Sequence, residues 1–157
     1  MMKITLIQIG KTHFKFIDEG FDVFATRIKH YCKFEQVLLE VPSRLKSSEI
    51  EQIKKNEGEL LLKRISPTDF VILLDENGKE FNSKLFATYL DKLTMQHSAF
   101  VFVIGGAYGF SQQVYDRANA KVSLSKMTFS HQLIRLIFIE QLYRAFTIMN
   151  GEPYHHE

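Results

Sequence analysis

The polarity of successive residues predicts strands and helices in alternation from the first residues onward. Residues 3–9 alternate in polarity, are rich in β-branched side chains and end at Gly10, which together predict a strand. Residues 14–30 then show apolar side chains at spacings of three and four, the period of an amphipathic helix. Those apolar positions are Phe14, Ile17, Phe21, Phe24 and Ile28.

The rest of the chain continues this alternation. Further strands are predicted at residues 34–41, 69–74, 99–104 and 121–124. Further helices are predicted at residues 47–65, 82–95, 112–119 and 131–149. Ser47 or Ser48 is the expected cap of the first of these helices, and residues 75–78 have the composition of a turn.

Alternating strands and helices predict an α/β fold, with a mostly parallel sheet flanked by helices. The chain shows no internal repeat, low-complexity stretch or linker, and the predicted connections are short. At 157 residues it has the length of one domain, so we expect residues 1–157 to form a single domain with its own core.

The predicted last helix, residues 131–149, is apolar on more than one side. A helix on the surface of a monomer keeps a polar face, and this one does not. Its apolar residues are Leu133, Ile134, Leu136, Ile137, Phe138, Ile139, Leu142, Tyr143, Phe146 and Ile148. The alternative is a central helix of a monomer, but a chain this small rarely buries one helix on all sides. We therefore expect the core to cover one side and a second copy of the chain to cover the other, which predicts a homodimer.

Composition and charge narrow the class of protein. The chain is 45% hydrophobic and 24% charged, as ordinary globular proteins are, and no stretch is long enough to span a membrane. Cys32 is the only cysteine and the N-terminus lacks the apolar run of a signal peptide, so we expect a cytoplasmic protein. A net charge of +2 permits an RNA partner without requiring one.

Three predicted strand ends are expected to meet at one edge of the sheet. They are residues 73–75, 104–109 and 123–128. Ligands of open α/β sheets bind outside the carboxyl ends of the strands, and glycines there allow the backbone to approach a ligand closely. The glycines around residue 106 follow neither the dinucleotide spacing nor the phosphate-loop lysine pattern, which disfavours NAD and ATP.

The C-terminal residues hold an unusual concentration of titratable side chains. Tyr154, His155, His156 and Glu157 follow a short Gly-Glu-Pro break after the last helix. Adjacent histidines of an extended tail point apart and no cysteine is near them, so we expect no metal site. Such a tail contributes chemistry only if it is held against a surface, and the apolar last helix offers one.

Charged side chains on the last helix add to this candidate chemistry. Arg144 stands four residues after Glu140, and on so apolar a helix an arginine needs a partner or a polar pocket. His131 lies at the predicted helix start, where the positive end of the helix dipole favours a neutral imidazole.

Four segments, taken in order, match a known family over the whole chain. They are residues 102–111 (FVIGGAYGFS), 124–131 (LSKMTFSH), 140–145 (EQLYRA) and 153–157 (PYHHE). With these segments the chain resembles the ribosomal RNA large-subunit methyltransferase H family, the YbeA-like members of the SPOUT methyltransferases. Two positions depart from the pattern of many relatives, which have proline in place of Ser130 and arginine or lysine in place of His156.

The resemblance implies an α/β domain whose C-terminal part is threaded into a trefoil knot, and a homodimer with active sites at the subunit interface. It implies S-adenosylmethionine as the methyl donor. The implied acceptor is N3 of the pseudouridine at position 1915 of 23S rRNA, methylated in the assembled 70S ribosome. Alternatives are a SPOUT methyltransferase acting on another RNA such as tRNA, a non-enzymatic RNA- or ribosome-binding module, and a nucleotide-binding regulatory dimer.

The resemblance also implies roles for individual residues. The implied cofactor contacts, which fall on the three strand ends, are Leu74, Gly106, Ser125, Lys126, Met127, Thr128, Phe129 and Ser130. The implied catalytic or RNA-positioning residues are His131, Arg144, Tyr154 and His155. We expect Arg144 to stabilise negative charge on the acceptor base, and Tyr154 and His155 to orient that base. A neutral imidazole or a carboxylate is expected to take the N3 proton.

Overall fold

The computed structural model describes residues 1–156, which contain five strands and five α-helices. The strands are β1 (Lys3–Ile9), β2 (Lys33–Leu39), β3 (Phe70–Glu80), β4 (Ala99–Ile104) and β5 (Ala120–Ser123). The helices are α1 (Lys15–Ile28), α2 (Ile50–Lys63), α3 (Ser83–Thr94), α4 (Gln112–Arg117) and α5 (Leu133–Met149), with a 3-10 turn at Ser43–Leu45. Within residues 1–156 none of these helices combines the length and hydrophobicity needed to cross a membrane.

The strands form one sheet in the order β2-β1-β4-β3-β5, and every neighbouring pair runs parallel. The predicted α/β fold with a parallel sheet is therefore confirmed, whereas the trefoil knot stays a prediction. Because β4, β3 and β5 are neighbours, their carboxyl ends lie side by side at one edge of the sheet. The ends of β2 and β1 continue that same edge on the other side of β4.

Helices cover both faces of the sheet, and the strand residues alternate between the two layers. Ile4 and Leu6 of β1 pack with α1, α3 and α5, whereas Ile7 and Ile9 pack with α2 and α4. Successive side chains of a strand point to opposite faces. Both faces of β1 and β4 are covered, which explains why these strands are apolar at nearly every position.

Helix α5 lies against the sheet between α1 and α3. The rings of Phe138 and Phe102 are 4.9 Å apart, and a Cβ on Gly20 of α1 would lie 2.9 Å from Leu136. Leu133 is the one exposed position of α5. The sheet, α1 and α3 therefore account for much of the apolar pattern that we attributed to a second subunit, and the homodimer stays a prediction.

The predicted turn at residues 75–78 is wrong, because the chain continues as β3 to Glu80. The register against β5 shifts here, so that Leu74 and Lys79 both pair with Val122. Gly78 runs so close to β5 that a Cβ on it would lie 2.6 Å from the backbone nitrogen of Val122. The local composition favours a turn, but pairing with β5 converts the segment into a bulge within a longer strand.

Two helices begin later than predicted. Helix α2 begins at Ile50 and is capped by neither Ser47 nor Ser48; the Ser47 hydroxyl instead accepts the backbone N–H of Glu49 at 3.1 Å. Helix α5 begins at Leu133, whose backbone N–H donates to the Ser130 hydroxyl at 3.0 Å. Ser130 thus supports the start of α5 in the way that an N-terminal cap does.

Candidate functional site

The three predicted strand ends line one cavity at the carboxyl edge of the sheet, which we call the strand-end cleft. Its volume is about 580 Å³, within the range of small-molecule sites. The lining comes from residues 74–77 within β3, from the ends of β4 and β5, from the loops after β4 and β5, and from the start of α5. It comprises residues 74–77, 104–110, 115, 122–125, 127–131 and 134.

The loop after β4 forms one wall of the cleft and depends on its glycines. Gly109 has a φ of 83°, a region that favours glycine, and its backbone N–H donates to the Gly106 carbonyl at 3.3 Å. A Cβ on Gly105 would lie 3.0 Å from the ring of Phe110. The loop is therefore a tight turn in which side chains larger than hydrogen are strained or crowded.

The loop after β5 forms the opposite wall and is held by its own serines. The Ser123 hydroxyl donates to the Ser125 carbonyl at 2.9 Å, and the Ser125 hydroxyl accepts the backbone N–H of Met127 at 2.9 Å. Leu124 and Phe129 are partly buried beside these groups. Apolar side chains next to backbone donors and acceptors are the combination that binds a flat heteroaromatic ligand.

Seven of the eight residues predicted to contact a cofactor line the strand-end cleft: Leu74, Gly106, Ser125, Met127, Thr128, Phe129 and Ser130. Lys126 is the exception, because its side chain is exposed and is not part of the lining. An ammonium group on a flexible stem is better solvated by water than by a partly apolar cavity. The structure therefore gathers the predicted segment, and the cofactor contacts themselves stay predictions.

Asp75 and Tyr115 add a polar pair to the wall of the cleft. The Tyr115 hydroxyl donates to one carboxylate oxygen of Asp75, and the other oxygen accepts the backbone N–H of Asn77 at 2.8 Å. Burial, together with this hydrogen bond, raises the pKa of Tyr115 to about 12. The phenol therefore stays protonated at neutral pH, and Asp75 is engaged within the protein. Tyr115 was not among the predicted site residues.

A second acidic side chain approaches the cleft from behind the loop after β4. A Cβ on Gly106 would lie 2.8 and 2.9 Å from the two carboxylate oxygens of Glu57 on α2. Burial raises the pKa of Glu57 above its ordinary value. Glu57 lines a neighbouring cavity of about 510 Å³ at the ends of β1 and β2. Gly106 therefore lies between the strand-end cleft and the Glu57 carboxylate, which leaves little room for a side chain at position 106.

His131 is the one predicted catalytic residue that lines the strand-end cleft. Burial lowers its pKa below 6.5, and the neighbouring Arg135 and His13 lower it further. The imidazole is therefore mostly neutral at pH 7 and able to accept a proton or a hydrogen bond. This agrees with the neutral state predicted from its place at the start of α5.

The other three predicted catalytic residues meet around Glu140 on α5, and we call these four residues the tail cluster. Nε and Nη2 of Arg144 donate to Oε1 of Glu140 at 3.0 and 2.6 Å. The Tyr154 hydroxyl donates to the same oxygen at 3.1 Å. Nη1 of Arg144 lies 3.0 Å from Nδ1 of His155. The C-terminal residues therefore fold back along α5, where Glu140 holds Tyr154 and Arg144 holds His155.

Packing and charge both stabilise the tail cluster. The Arg144 guanidinium lies over the Tyr154 ring at 4.7 Å, and the Tyr143 ring meets Tyr154 edge-on at 4.8 Å. The side chains of Arg144 and Glu140 are only 24% and 21% exposed, so their charges attract one another more strongly than at an open surface. Burial and the Glu140 carboxylate raise the pKa of Tyr154. Arg144 thus has the partner that its apolar helix requires.

The tail cluster and the strand-end cleft are separate within one chain. Glu140, Arg144, Tyr154 and His155 are not part of the cleft lining. Ile134 is the last residue of α5 that lines the cleft, and it precedes Arg144 by ten positions, about 15 Å along a helix axis. The predicted catalytic residues are therefore divided between two places, with His131 at the first and the other three at the second.

The end of the tail adds no metal site in the part of the chain that is described. His156 is exposed, and Glu157 lies outside the described residues. Across residues 1–156, no three side chains among His, Cys, Asp and Glu are grouped as metal ligands would be.

Comparison with known proteins agrees with this geometry. Residues 2–155 match the family model described as Predicted SPOUT methyltransferase. The chain is 53% identical to the ribosomal RNA large subunit methyltransferase H of Parabacteroides distasonis, with 99% of this chain and 100% of that protein aligned. Proteins of the same name from Christiangramia forsetii and Phocaeicola vulgatus are 50% and 49% identical, over 99% of this chain and 99% and 100% of their own. The chain therefore belongs to the SPOUT methyltransferase family and is an enzyme.

Proposed function

We propose that the protein transfers a methyl group from S-adenosylmethionine to N3 of the pseudouridine at position 1915 of 23S rRNA, in the assembled ribosome. The observation that carries this proposal is a cofactor-sized cleft at the carboxyl edge of the sheet, together with an arginine and a tyrosine held by Glu140 on the adjoining helix and a histidine that contacts that arginine. Relatives that are about half identical over nearly their whole length are named as methyltransferases of large-subunit ribosomal RNA. That name favours ribosomal RNA over tRNA as the substrate.

The strand-end cleft fits the proposed donor in size and in chemistry. Its volume of about 580 Å³ is sufficient for a nucleoside with an amino-acid tail. Leu74, Leu124 and Phe129 would contact the faces of the adenine, and the backbone of the loops after β4 and β5 would hydrogen-bond its edge. Gly106 would allow the donor to approach the backbone. When bound, S-adenosylmethionine supplies an electrophilic methyl group on a sulfonium sulfur.

The protein's own residues then have to orient the acceptor base and stabilise the charge that develops on it. The N3–H proton must leave as the methyl group arrives, and negative charge develops on the flanking carbonyl oxygens. A guanidinium beside those oxygens stabilises that charge, which we assign to Arg144. Tyr154 and His155 lie within contact of Arg144 and would orient the base. Near-attack positioning of this kind can account for a large part of a methyl-transfer rate enhancement.

Two copies of the chain would bring cleft and tail cluster together. The tail cluster of one chain does not line its own cleft. Its Arg144 follows Ile134, the last residue of α5 in the cleft lining, by ten positions along the helix. In a homodimer with a two-fold axis, each tail cluster can face the cleft of the other copy, and both sites are equivalent. We therefore propose a homodimeric enzyme in which Arg144, Tyr154 and His155 act on a base held at the partner's cleft.

Mass spectrometry of 23S rRNA provides the direct test of the substrate. A strain lacking the gene should lose one methyl group from the fragment that contains position 1915, and the intact gene should restore it. A gene carrying Arg144→Ala should not restore it. If the deletion leaves that fragment unchanged and removes a methyl group from a tRNA, the proposed substrate is wrong.

A further inference from the structure

Arg135 is a fully buried arginine on α5 that the proposed chemistry does not use. Its side chain has no exposed surface. Nη1 donates to the Thr12 hydroxyl at 3.0 Å, and Nη2 donates to the carbonyls of Ile9 and Gly10 at 2.7 and 3.0 Å. Its Nε has no hydrogen-bond partner among the described residues.

A buried cation of this kind is costly to the fold. Burial lowers the pKa of Arg135, and the charge of Asp18 opposes that change only in part. The groups that accept its hydrogen bonds are neutral oxygens, so no carboxylate in hydrogen-bonding contact within residues 1–156 neutralises the charge. Removing an ion from water is energetically costly unless the ion is paired, and an apolar side chain of similar size would fill the same space without that cost. The charge therefore calls for an explanation beyond packing.

The contacts of Arg135 tie the loop between β1 and α1 to the start of α5. Gln132, which is also buried, strengthens this tie: its amide nitrogen donates to the Lys11 carbonyl at 2.9 Å, and its amide oxygen accepts the backbone N–H of His13 at 2.8 Å. His131 precedes Gln132 and lies at the rim of the strand-end cleft. The segment that carries His131 is thus fixed by five side-chain hydrogen bonds to the end of β1 and the loop that follows it.

His131 has both basic and acidic neighbours. Burial is the main cause that lowers its pKa, and Arg135 on α5 and His13 on the loop after β1 add to it because both disfavour a second positive charge there. Asp75 and Glu76 on β3 line the same cleft, but Asp75 already accepts hydrogen bonds from Tyr115 and Asn77. The cationic neighbour is permanent because a guanidinium stays protonated at all ordinary pH values. His131 is therefore set beside a charge that opposes its protonation.

We propose that Arg135 is a positioning residue that fixes the segment carrying His131 at the rim of the cleft, so that His131 accepts the proton released from the acceptor base. The charge of Arg135 adds to burial in favouring the neutral imidazole. The inference rests on the proposed function for its reaction. The N3–H bond breaks as the N3–CH3 bond forms, and the proton passes to the free ring nitrogen of His131. The imidazolium formed beside Arg135 then returns its proton to solvent readily, which resets the site.

The test compares Arg135→Met, which removes the charge, with Arg135→Lys, which keeps the charge and loses the fork of hydrogen bonds. The pH dependence of methylation is measured with ribosomes from the deletion strain, and the titration of the His131 ring is followed by NMR in each protein. In Arg135→Met, which lacks the charge, the acid limb of the pH–rate profile and the titration midpoint of His131 should both move to higher pH. Arg135→Lys should lower the rate and leave the midpoint closer to the wild-type value. Arg44→Met, at an exposed arginine of the Ser43–Leu45 turn, should change neither.

The outcomes separate this inference from the function on which it rests. If the wild-type protein methylates ribosomes but its His131 titrates at or above 6.5, or the acid limb does not follow the titration of His131, the inference is overturned. If Arg135→Met fails to fold, the wild-type titration and a His131→Gln variant still test the inference. His131→Gln must lose activity at least tenfold and keep the wild-type affinity for S-adenosylmethionine. A wild-type protein that methylates no ribosomal RNA contradicts the proposed function instead, while the NMR titration still reports on Arg135.

Discussion

The hydroxyl of Tyr31 lies 2.8 and 2.7 Å from the two carboxylate oxygens of Glu152 and donates a shared hydrogen bond to them. Tyr31 follows α1, and Glu152 belongs to the break that turns the chain back from α5 toward the tail cluster. The Tyr31 ring also stacks on Phe146 of α5, with centroids 5.3 Å apart. Burial and the Glu152 carboxylate raise the pKa of Tyr31 to about 12, so the phenol keeps its proton and continues to donate at neutral pH.

Tyr31→Phe should therefore loosen the tail without unfolding the protein. The substitution removes the hydroxyl and keeps the ring on Phe146, and the exposed hydrogen bond contributes less than about 1 kcal/mol to stability. Misplacing Tyr154 and His155 should lower kcat by about tenfold to a hundredfold. Methylation kinetics on ribosomes measure the rate, and calorimetry with S-adenosylmethionine should give an unchanged Kd.

Tyr89→Phe is the matched control for that experiment. Tyr89 on α3 stacks on Phe81 with centroids 4.8 Å apart and takes no part in the tail cluster. The same loss of one hydroxyl should leave kcat unchanged there. Equal losses of activity in both variants would show that Tyr31 does not position the tail.

Arg144→Ala should abolish methylation and leave donor affinity nearly unchanged, because Arg144 lies outside the strand-end cleft. Removing a charge that acts on the transition state typically lowers kcat by a factor of about a hundred to a thousand. Single-turnover methylation measures the chemical step, and calorimetry measures donor binding. Arg27→Ala is the control: its guanidinium lies 5.5 Å from the Tyr143 ring, beside the tail cluster. Lost donor binding in Arg144→Ala would contradict the electrostatic role.

Glu57→Gln should stabilise the protein at neutral pH and have little effect in acid. Burial raises the folded-state pKa of Glu57 above its ordinary value of 4.5, so the folded protein favours the protonated carboxyl. The stability linked to that proton is fully present below the unfolded pKa and is lost as the pH rises through the folded pKa. Glutamine resembles the protonated form at every pH. Denaturant unfolding at pH 4 and pH 7 measures the difference.

Glu59→Gln, at an exposed position of the same helix, should show little difference between the two pH values. A loss of stability in Glu57→Gln at pH 7 would mean that the charged carboxylate has a stabilising partner, and would contradict a raised pKa caused by burial.

The periodic parts of the fold were predictable from the sequence. Strands β1 and β4 are apolar because both faces are buried, and α1 and α3 carry apolar residues on the side that meets the sheet. Parallel strands end at one edge, so the order of strands and helices along the chain was enough to predict that the segments around Leu74, Gly106 and Ser125 meet. The predicted cofactor segment lines the cleft except at Lys126, which the pattern alone could not separate from its neighbours.

Long-range contacts explain what the sequence could not show. Residues 75–78 have turn composition, and their extended state depends on pairing with β5 some forty residues later. Tyr31 and Glu152 are 121 positions apart, and Arg135 bonds a loop more than 120 positions before it. Neither pair leaves a local pattern. The apolar residues on more than one side of α5 suggested a second subunit. Helices α1 and α3 already cover much of α5, and a helix between two others needs no polar face.

Mixing two inactive variants is the most direct measurement of the central claim, that one copy's tail cluster completes the other copy's cleft. Thr128→Trp fills the cleft at an exposed lining position, and Arg144→Ala disables the tail cluster. Random reassortment makes about half of the dimers mixed, and each mixed dimer has one intact pair of cleft and tail. The mixture should therefore recover about a quarter of wild-type methylation. Complete inactivity of a mixture that has been shown to contain mixed dimers would contradict the claim.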